Sequence, residues 1–382
     1  NMQEIFESLD LRSLNKNNID NCQYIHLLSH KHNNLKIEKY FEFDSNLTNI
    51  DINFQDLISI FNDEYTSPVC YNCIIDNVTI GPYPIGIGRY WPIFFSKYYI
   101  YNFVSDLARK AWTQQKTLNI IDDKIHINLS SIPKIKIEGT IIWMFLFNNL
   151  DHLIRESLPI LKVLYDNGED FSKLKFLTPI ISDNMIELLV RIGIPKNNIL
   201  QLNGQWVVCE KAYIPCFFSF GHLHTPSSYY IETANFIRDR VLSTNINTIK
   251  PKYIYVSRND SKWRRLLNEN ILIEYLKLRG FTIITPGQFS RVEQISLFSE
   301  AEIVIGPHGM GLANAVFSKN LKLLAEIMPT SWNRVSYYRT AQWKKAKYLA
   351  YFINPLPSNF NKKTGDYIIN VNKFISFIED HL

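Results

Sequence analysis

Glu302-Ile-Val-Ile-Gly-Pro-His-Gly-Met-Gly-Leu-Ala-Asn314, running on to Leu323-Leu-Ala-Glu-Ile-Met-Pro329, decides how this 382-residue chain reads. Glu302 to Ile305 has the apolar run of a short buried strand. Gly306, Gly309 and Gly311 allow a tight turn and leave room for a ligand, and the pattern becomes helical from Gly311 to Phe317. A strand that ends in glycines and feeds a helix N-terminus is an anion site, because unpaired N–H groups and the helix dipole converge there. Leu321 to Ile327 reads as the next parallel strand. Glu326 lies near its carboxyl end, where an acid can accept from a ribose. The glycine spacing is not the dinucleotide fingerprint: Asn314 stands where a third glycine would be needed, and the motif lies late in the chain.

Working outward, strands and helices alternate. Strands are expected at 132–137, 140–145, 175–181, 199–202, 206–209, 212–215, 252–257, 281–285 and 348–353. Helices are expected at 51–61, 98–112, 184–192, 227–244, 269–279, 292–299, 333–345 and 371–382. This βαβ rhythm implies parallel sheet and an α/β class. Two alternating halves suggest two layered domains: 1–220, then 221–370, with 371–382 as a closing helix packed back on the N-terminal domain. Residues 78–112 are rich in aromatics, glycine and proline, which reads as a loop packed on the core or stacked on a sugar.

Composition narrows the class. The net charge of +5 is mild and the basic residues are scattered. This fits small anionic substrates and gives no nucleic-acid tail. The longest purely apolar run, Ile141 to Phe147, is far too short to span a bilayer. No basic segment followed by an apolar core opens the chain, so no signal peptide is expected. Five irregularly spaced cysteines, Cys22, Cys70, Cys73, Cys209 and Cys216, suit a reduced, cytosolic protein. The lone C-x-x-C at Cys70 and Cys73 has neither the further ligands that zinc needs nor a thioredoxin-like context.

Three further stretches carry candidate chemistry. In Asn149-Leu-Asp-His-Leu-Ile-Arg-Glu-Ser-Leu-Pro159, Asp151 can cap a helix, and His152 and Glu156 share one face a turn apart. Such a pair can act as a general base with its tautomer fixed by the acid, or can be a surface ion pair; spacing leaves both open. After Ser257, the loop from Arg258 carries Arg264 and Arg265 before Asn268 and Glu269. Arginine forks match phosphate oxygens, and this loop follows a strand end. His222 and His224 form an H-x-H in the loop 216–226, without a nearby carboxylate; it reads as a substrate-facing loop rather than a metal half-site.

Together, Asn149 to Pro159, Ser257-Arg258 with Arg264 to Glu269, and Gly306 to Asn314 with Glu326 resemble glycosyltransferase family 61. That family includes plant xylosyl- and arabinosyltransferases, an animal O-mannose N-acetylglucosaminyltransferase and bacterial polysaccharide enzymes. Ile160 departs from it, since a basic residue often follows the Leu-Pro. The resemblance implies a GT-B architecture, two Rossmann-like domains facing across a cleft, and an inverting transfer from a nucleotide-sugar. It implies a base among His152, Glu156 and Asp151 on the acceptor side, with His222 and His224 as further acceptor-side candidates. The donor would meet Ser257, Arg258, Arg264, Arg265, Asn268, Glu269, Gly306, His308, Gly309, Met310, Gly311, Asn314 and, at the ribose, Glu326. No metal and no cofactor are expected beyond the co-substrate; no Asp-x-Asp stands out. The expected partners are a donor, read as a UDP-sugar, and a glycan or glycolipid acceptor. Surface-polysaccharide (capsule) synthesis in the bacterial cytoplasm, at the inner membrane face, is the expected setting. The alternative is a non-catalytic nucleotide- or glycan-binding protein that keeps the fold.

Overall fold

Six parallel strands carry the part of the chain that holds the motifs. Their order is Thr282–Ile284, Tyr253–Val256, Ile303–Pro307, Leu323–Pro329, Lys347–Ile353 and Lys39–Phe43. They belong to a computed structural model that describes residues 4–9, 19–20, 22–28, 31–32, 35–45, 53–82, 92–100, 119–122, 124–220, 224–356 and 365–382. Every residue of Leu323–Pro329 is buried, as a strand covered by helices on both faces must be.

Side-chain alternation builds the two layers. Leu323, Ala325 and Ile327, with Leu349, Tyr351 and Ile353, share a core with Leu272 and Leu276 of helix Glu269–Leu278 and with Phe374 and Ile378 of helix Val371–Glu379. The intervening positions, Glu326 among them, therefore face the opposite layer. Helix Ser336–Lys344 packs there on Leu323–Pro329 and Lys347–Ile353. In chain order from Tyr253–Val256 the strands run 2-1-3-4-5, with Lys39–Phe43 added at the edge. The order reverses between Tyr253–Val256 and Ile303–Pro307, so their carboxyl ends flank the crevice where such sheets bind ligands.

The described chain falls into two units that interleave along the sequence, 1–29, 69–147 and 163–218 against 30–68, 148–162 and 219–382. This grouping differs from the single boundary expected after residue 220. Residues 148–162, with the Asp151–His152 segment, sort with the six-stranded sheet. The closing helix also packs inside that unit: Phe374 meets Tyr351, and Lys373 Nζ donates to the Phe43 carbonyl at 2.5 Å.

The other unit holds a mixed sheet. Ile199–Leu202, Lys175–Pro179, Lys134–Trp143 and Trp206–Pro215 run parallel, and Cys70–Ile80 pairs antiparallel with the last of them. Strands expected separately at 132–137 and 140–145 form one element with an irregularity between Ile137 and Thr140, and 206–215 is likewise continuous. The helix expected over 98–112 begins instead as the strand Tyr98–Ile100; residues 101–118 and 83–91 lie outside the described residues. All five cysteines are free. Cys73 lies against Cys22, and Cys216 against Cys70, as strand neighbours.

Gly306 shows why the central motif needs glycine. A Cβ there would stand 2.7 Å from the Val256 carbonyl oxygen and 3.0 Å from Val256 Cβ, on the neighbouring strand. Backbone cannot yield as a side chain does. Gly306→Ala is expected to cost about 1–3 kcal/mol by overpacking, read by denaturant unfolding. A loss within about 0.5 kcal/mol, the range of neutral surface changes, would show that the strands separate freely.

Candidate functional site

Residues 150–157 form two short turns of different pitch. Leu150–His152 is α-helical, and Asn149 caps it by accepting from the N–H groups of Asp151 and His152. Asp151, expected as the cap, is committed elsewhere. Leu153–Ser157 follows as a π-type turn, in which Leu158 N–H reaches the Leu153 carbonyl at 3.0 Å. Pro159 then starts helix Pro159–Asp166, where its missing N–H costs nothing.

Inside this turn lies a buried charge network. Arg155 is wholly buried and grips Asp151 with a fork, Nε to Oδ1 at 2.9 Å and Nη2 to Oδ2 at 2.8 Å. Its Nη1 donates to Ser219 Oγ at 2.9 Å. Burial would raise the Asp151 carboxyl, but the Arg155 guanidinium outweighs it and holds Asp151 down at about 2. Asp151 is therefore an ionised, fully engaged structural carboxylate and a poor proton acceptor.

His152 stands at the edge of this network, its side chain 28% exposed, with Nδ1 2.5 Å from Oε1 of the buried Glu156. A carboxylate can only accept, so Nδ1 carries a proton, and a ring without a second proton has its lone pair on Nε2. The i,i+4 pair is thus a fixed imidazole backed by a buried acid. His224 lies close by, its ring centroid 6.4 Å from that of His152. It is buried, 2.9 Å from Ser336 Oγ and 3.8 Å from Asp151 Oδ2. Burial first, and Arg155 next, push His224 down to about 3, so it stays neutral. His222, the other half of the H-x-H, lies outside the described residues.

The glycine turn adjoins this segment, because the 3₁₀ helix Met310–Phe317 packs against Leu150–His152. No side chain caps that helix. Arg258 lies over the turn: a Cβ on Gly309 would fall 1.6 Å from its Nη1. Glycine at 309 permits this close approach, since a side chain there would displace the Arg258 guanidinium, and its backbone is extended rather than left-handed. Gly311 is required by Val256 and Pro286, 2.8 and 2.9 Å from its absent Cβ. Arg258 Nη2 is tied to Ser261 Oγ at 2.8 Å and to the Trp263 carbonyl at 3.0 Å, while Nε has no hydrogen-bond partner. Arg264 also has a buried Nη1 without a partner, and its guanidinium lies over the Trp332 ring. Burial and then the neighbouring Arg258 charge push Arg264 below its ordinary range. Two close guanidinium groups with unused N–H groups are a setting for an anion.

Other candidates are placed differently. Arg265 turns away to an exposed pair with Asp366 at 2.6 Å. Asn268 bridges the backbone of Ile369. Glu269 is buried, accepting from Tyr255 and Ser257 at 2.9 and 3.0 Å, and so braces the start of the Arg258 loop. Asn314 is buried and donates to Gln294 and the Gly311 carbonyl. Met310 is 42% exposed. Glu326 is fully buried and hydrogen-bonded to His308 Nδ1 at 2.7 Å and to the Tyr348 hydroxyl. A ribose therefore has no route to its oxygens here. Among residues that the sequence reading passed over, Tyr337 donates to the Gly309 carbonyl at 2.6 Å, and it feels Asp151, Glu326, Arg258 and Arg264 electrostatically. Its place three residues past Arg334 in a polar helix gave no signal. Among the described residues, no three His, Cys, Asp or Glu side chains converge as a metal-ligand group.

A family model described as Glycosyltransferase 61 matches residues 143–324, just under half of the chain. Over these residues the chain matches glycosyltransferase family 61. The match spans His152, Glu156, Arg258, Arg264 and the glycine turn, and it ends just before Glu326. No curated protein matches the chain. Membership in this family implies sugar transfer between a donor and an acceptor. No helix among the described residues is long and apolar enough to cross a membrane.

His224 offers a pH test of the network. Its pKa is depressed in the folded chain and ordinary, near 6.5, in the unfolded one. The unfolded chain therefore takes up the proton first as pH falls. The stabilisation is complete above pH 6.5 and is lost as pH drops towards about 3. The loss approaches about 1.4 kcal/mol per pH unit. His224→Gln is expected to remove that slope between pH 6.5 and 5 in denaturant unfolding; parallel slopes for variant and wild type would refute it.

Proposed function

We propose that this family 61 chain is an inverting glycosyltransferase that moves a sugar from a nucleotide-sugar, UDP-linked, to a hydroxyl of a glycan acceptor. The observation that carries the reading is Arg258 over the glycine turn with the Arg264 charge near it, in the same compact unit as the His152–Glu156 pair, whose segment packs on that turn.

The chemistry follows from the groups. The acceptor oxygen attacks the anomeric carbon from the face opposite the leaving group. The bond from that carbon to the phosphate oxygen breaks, and its electron pair moves onto the diphosphate. The acceptor proton passes to Nε2 of His152, and Glu156 stabilises the imidazolium through Nδ1. Arg258 and Arg264 meet the growing charge on the diphosphate, where fixed donors act most strongly in the transition state. Asp151 is left out as a base by its Arg155 fork. The two guanidinium groups supply the charge that a metal ion would otherwise supply, so the proposal includes metal independence. A GT-B architecture with the acceptor bound across a cleft, and a role in bacterial surface-polysaccharide synthesis at the cytoplasmic membrane face, belong to the same proposal.

The test is transfer or donor hydrolysis with a panel of sugar nucleotides in the presence of EDTA. His152→Ala should lower turnover by roughly 10²–10⁴-fold, the usual share of a general base, with donor affinity near wild type; wild-type turnover would move the base elsewhere. Arg258→Ala should weaken nucleotide binding by about 2 kcal/mol, as for one charge-assisted hydrogen-bond donor. An unchanged dissociation constant in calorimetry would sink its assignment. Nucleotide binding without turnover on any donor would favour the non-catalytic alternative.

A further inference from the structure

We propose that His308 donates a hydrogen bond to the terminal phosphate of the leaving nucleoside diphosphate, and that the buried chain Tyr348–Glu326–His308 exists to aim it. The proposal rests on the donor-site reading above and gives Glu326 a positioning role in place of a ribose contact.

Glu326 sits inside the strand Leu323–Pro329, with none of its surface exposed. A carboxylate buried in a parallel sheet is costly unless its oxygens are satisfied. Both are engaged: His308 Nδ1 lies 2.7 Å from Oε2, and the Tyr348 hydroxyl donates to Oε1. Burial, and then the Glu326 charge, push the Tyr348 phenol far up, so it remains a donor. Tyr348 is itself fully buried on the next strand. The three residues come from neighbouring strands, each two positions out of register with Glu326: Gly306 and Ala350 are its pairing partners.

The place of His308 gives the chain its use. It follows the strand Ile303–Pro307 directly, at the crevice where the strand order reverses, and its N–H continues the pairing by donating to the Ile327 carbonyl at 2.9 Å. Its ring lies 5.2 Å from that of Tyr337, whose hydroxyl holds the Gly309 carbonyl. With Nδ1 held by the Glu326 carboxylate, Nε2 is the ring nitrogen left to meet a ligand, and the next residue, Gly309, lies against Arg258. Donation from Nε2 to a phosphate oxygen requires a proton on each ring nitrogen, and Glu326 is placed to meet the charge of that form. No proton need change hands: when the bond from the anomeric carbon to oxygen breaks, the electron pair lands on a phosphate oxygen that already faces an N–H.

Calorimetry on the full chain separates this from a packing role, with UDP and UMP as probes and the ADP/AMP, GDP/GMP and CDP/CMP pairs alongside. Wild type should prefer the diphosphate. His308→Ala and Glu326→Gln should each weaken UDP by roughly ten- to hundredfold, the range of one charge-assisted hydrogen bond, and leave UMP unchanged. Tyr348→Phe, which removes one oxygen, should move the same ratio less and guards against misfolding of the other variants. An unchanged UDP-to-UMP ratio in folded His308→Ala, or equal losses for both nucleotides, overturns the proposal while the donor site stands. Failure of wild type to bind any of these nucleotides overturns the donor site itself.

Discussion

A fully buried arginine constrains the rest of this site. Arg155 has no exposed surface, so its charge must be met inside the protein. An unpaired buried charge costs several kcal/mol, and this requirement fixes Asp151 on its fork and Ser219 on its remaining nitrogen. Glu156 Oε1 lies 4.0 Å from the same guanidinium. Three of the four ionisable residues in the turn are thereby immobilised, and His152 is the member left partly exposed. The π-type turn serves this arrangement, because a wider turn lets successive long side chains pack inward together.

The second constraint is the parallel sheet. Its strands run the same way, so the ends of Tyr253–Val256 and Ile303–Pro307 open on one crevice. Close packing of those strands demands Gly306, close packing of the loop demands Gly311, and Gly309 leaves the place that Arg258 fills. None of these glycines has a positive φ among the described backbone outliers. The glycine-rich motif is therefore a record of tight approach by Val256, Pro286 and Arg258, and the room it leaves is already shaped by an arginine. Glu269, Tyr255 and Ser257 hold the base of that arginine's loop from below.

Much of the second unit was legible in the sequence because buried parallel strands are apolar runs between turn residues. Expected strands at 252–257 and 348–353 are found at Tyr253–Val256 and Lys347–Ile353, and the expected helix 292–299 at Arg291–Phe298. The sorting of residues 148–162 and 39–43 with the C-terminal sheet was not legible, since it depends on partners hundreds of positions away, such as Tyr351 with Asp44. Neighbouring arginines looked alike in sequence, yet Arg264 is turned towards Trp332 and Arg265 towards Asp366. Glu326 was legible as an acid near a strand end, but alternation, with Tyr348 beside it, decides that it faces protein rather than ligand.

The unit thus contains two imidazoles backed by buried carboxylates, and their difference in exposure separates their uses. His152 is partly open at the edge of an otherwise buried turn, where an incoming hydroxyl can reach it. His308 is 4% exposed and anchored through the sheet by Glu326 and Tyr348. A base must meet a substrate that arrives from solvent, whereas a group that stabilises a leaving phosphate gains by being rigid before the charge appears. Asp151 could compete for the first role by proximity, but its proton affinity is spent on Arg155. His224 is near enough to both to feel them and stays neutral, so it adds no positive charge to that of Arg155, Arg258 and Arg264.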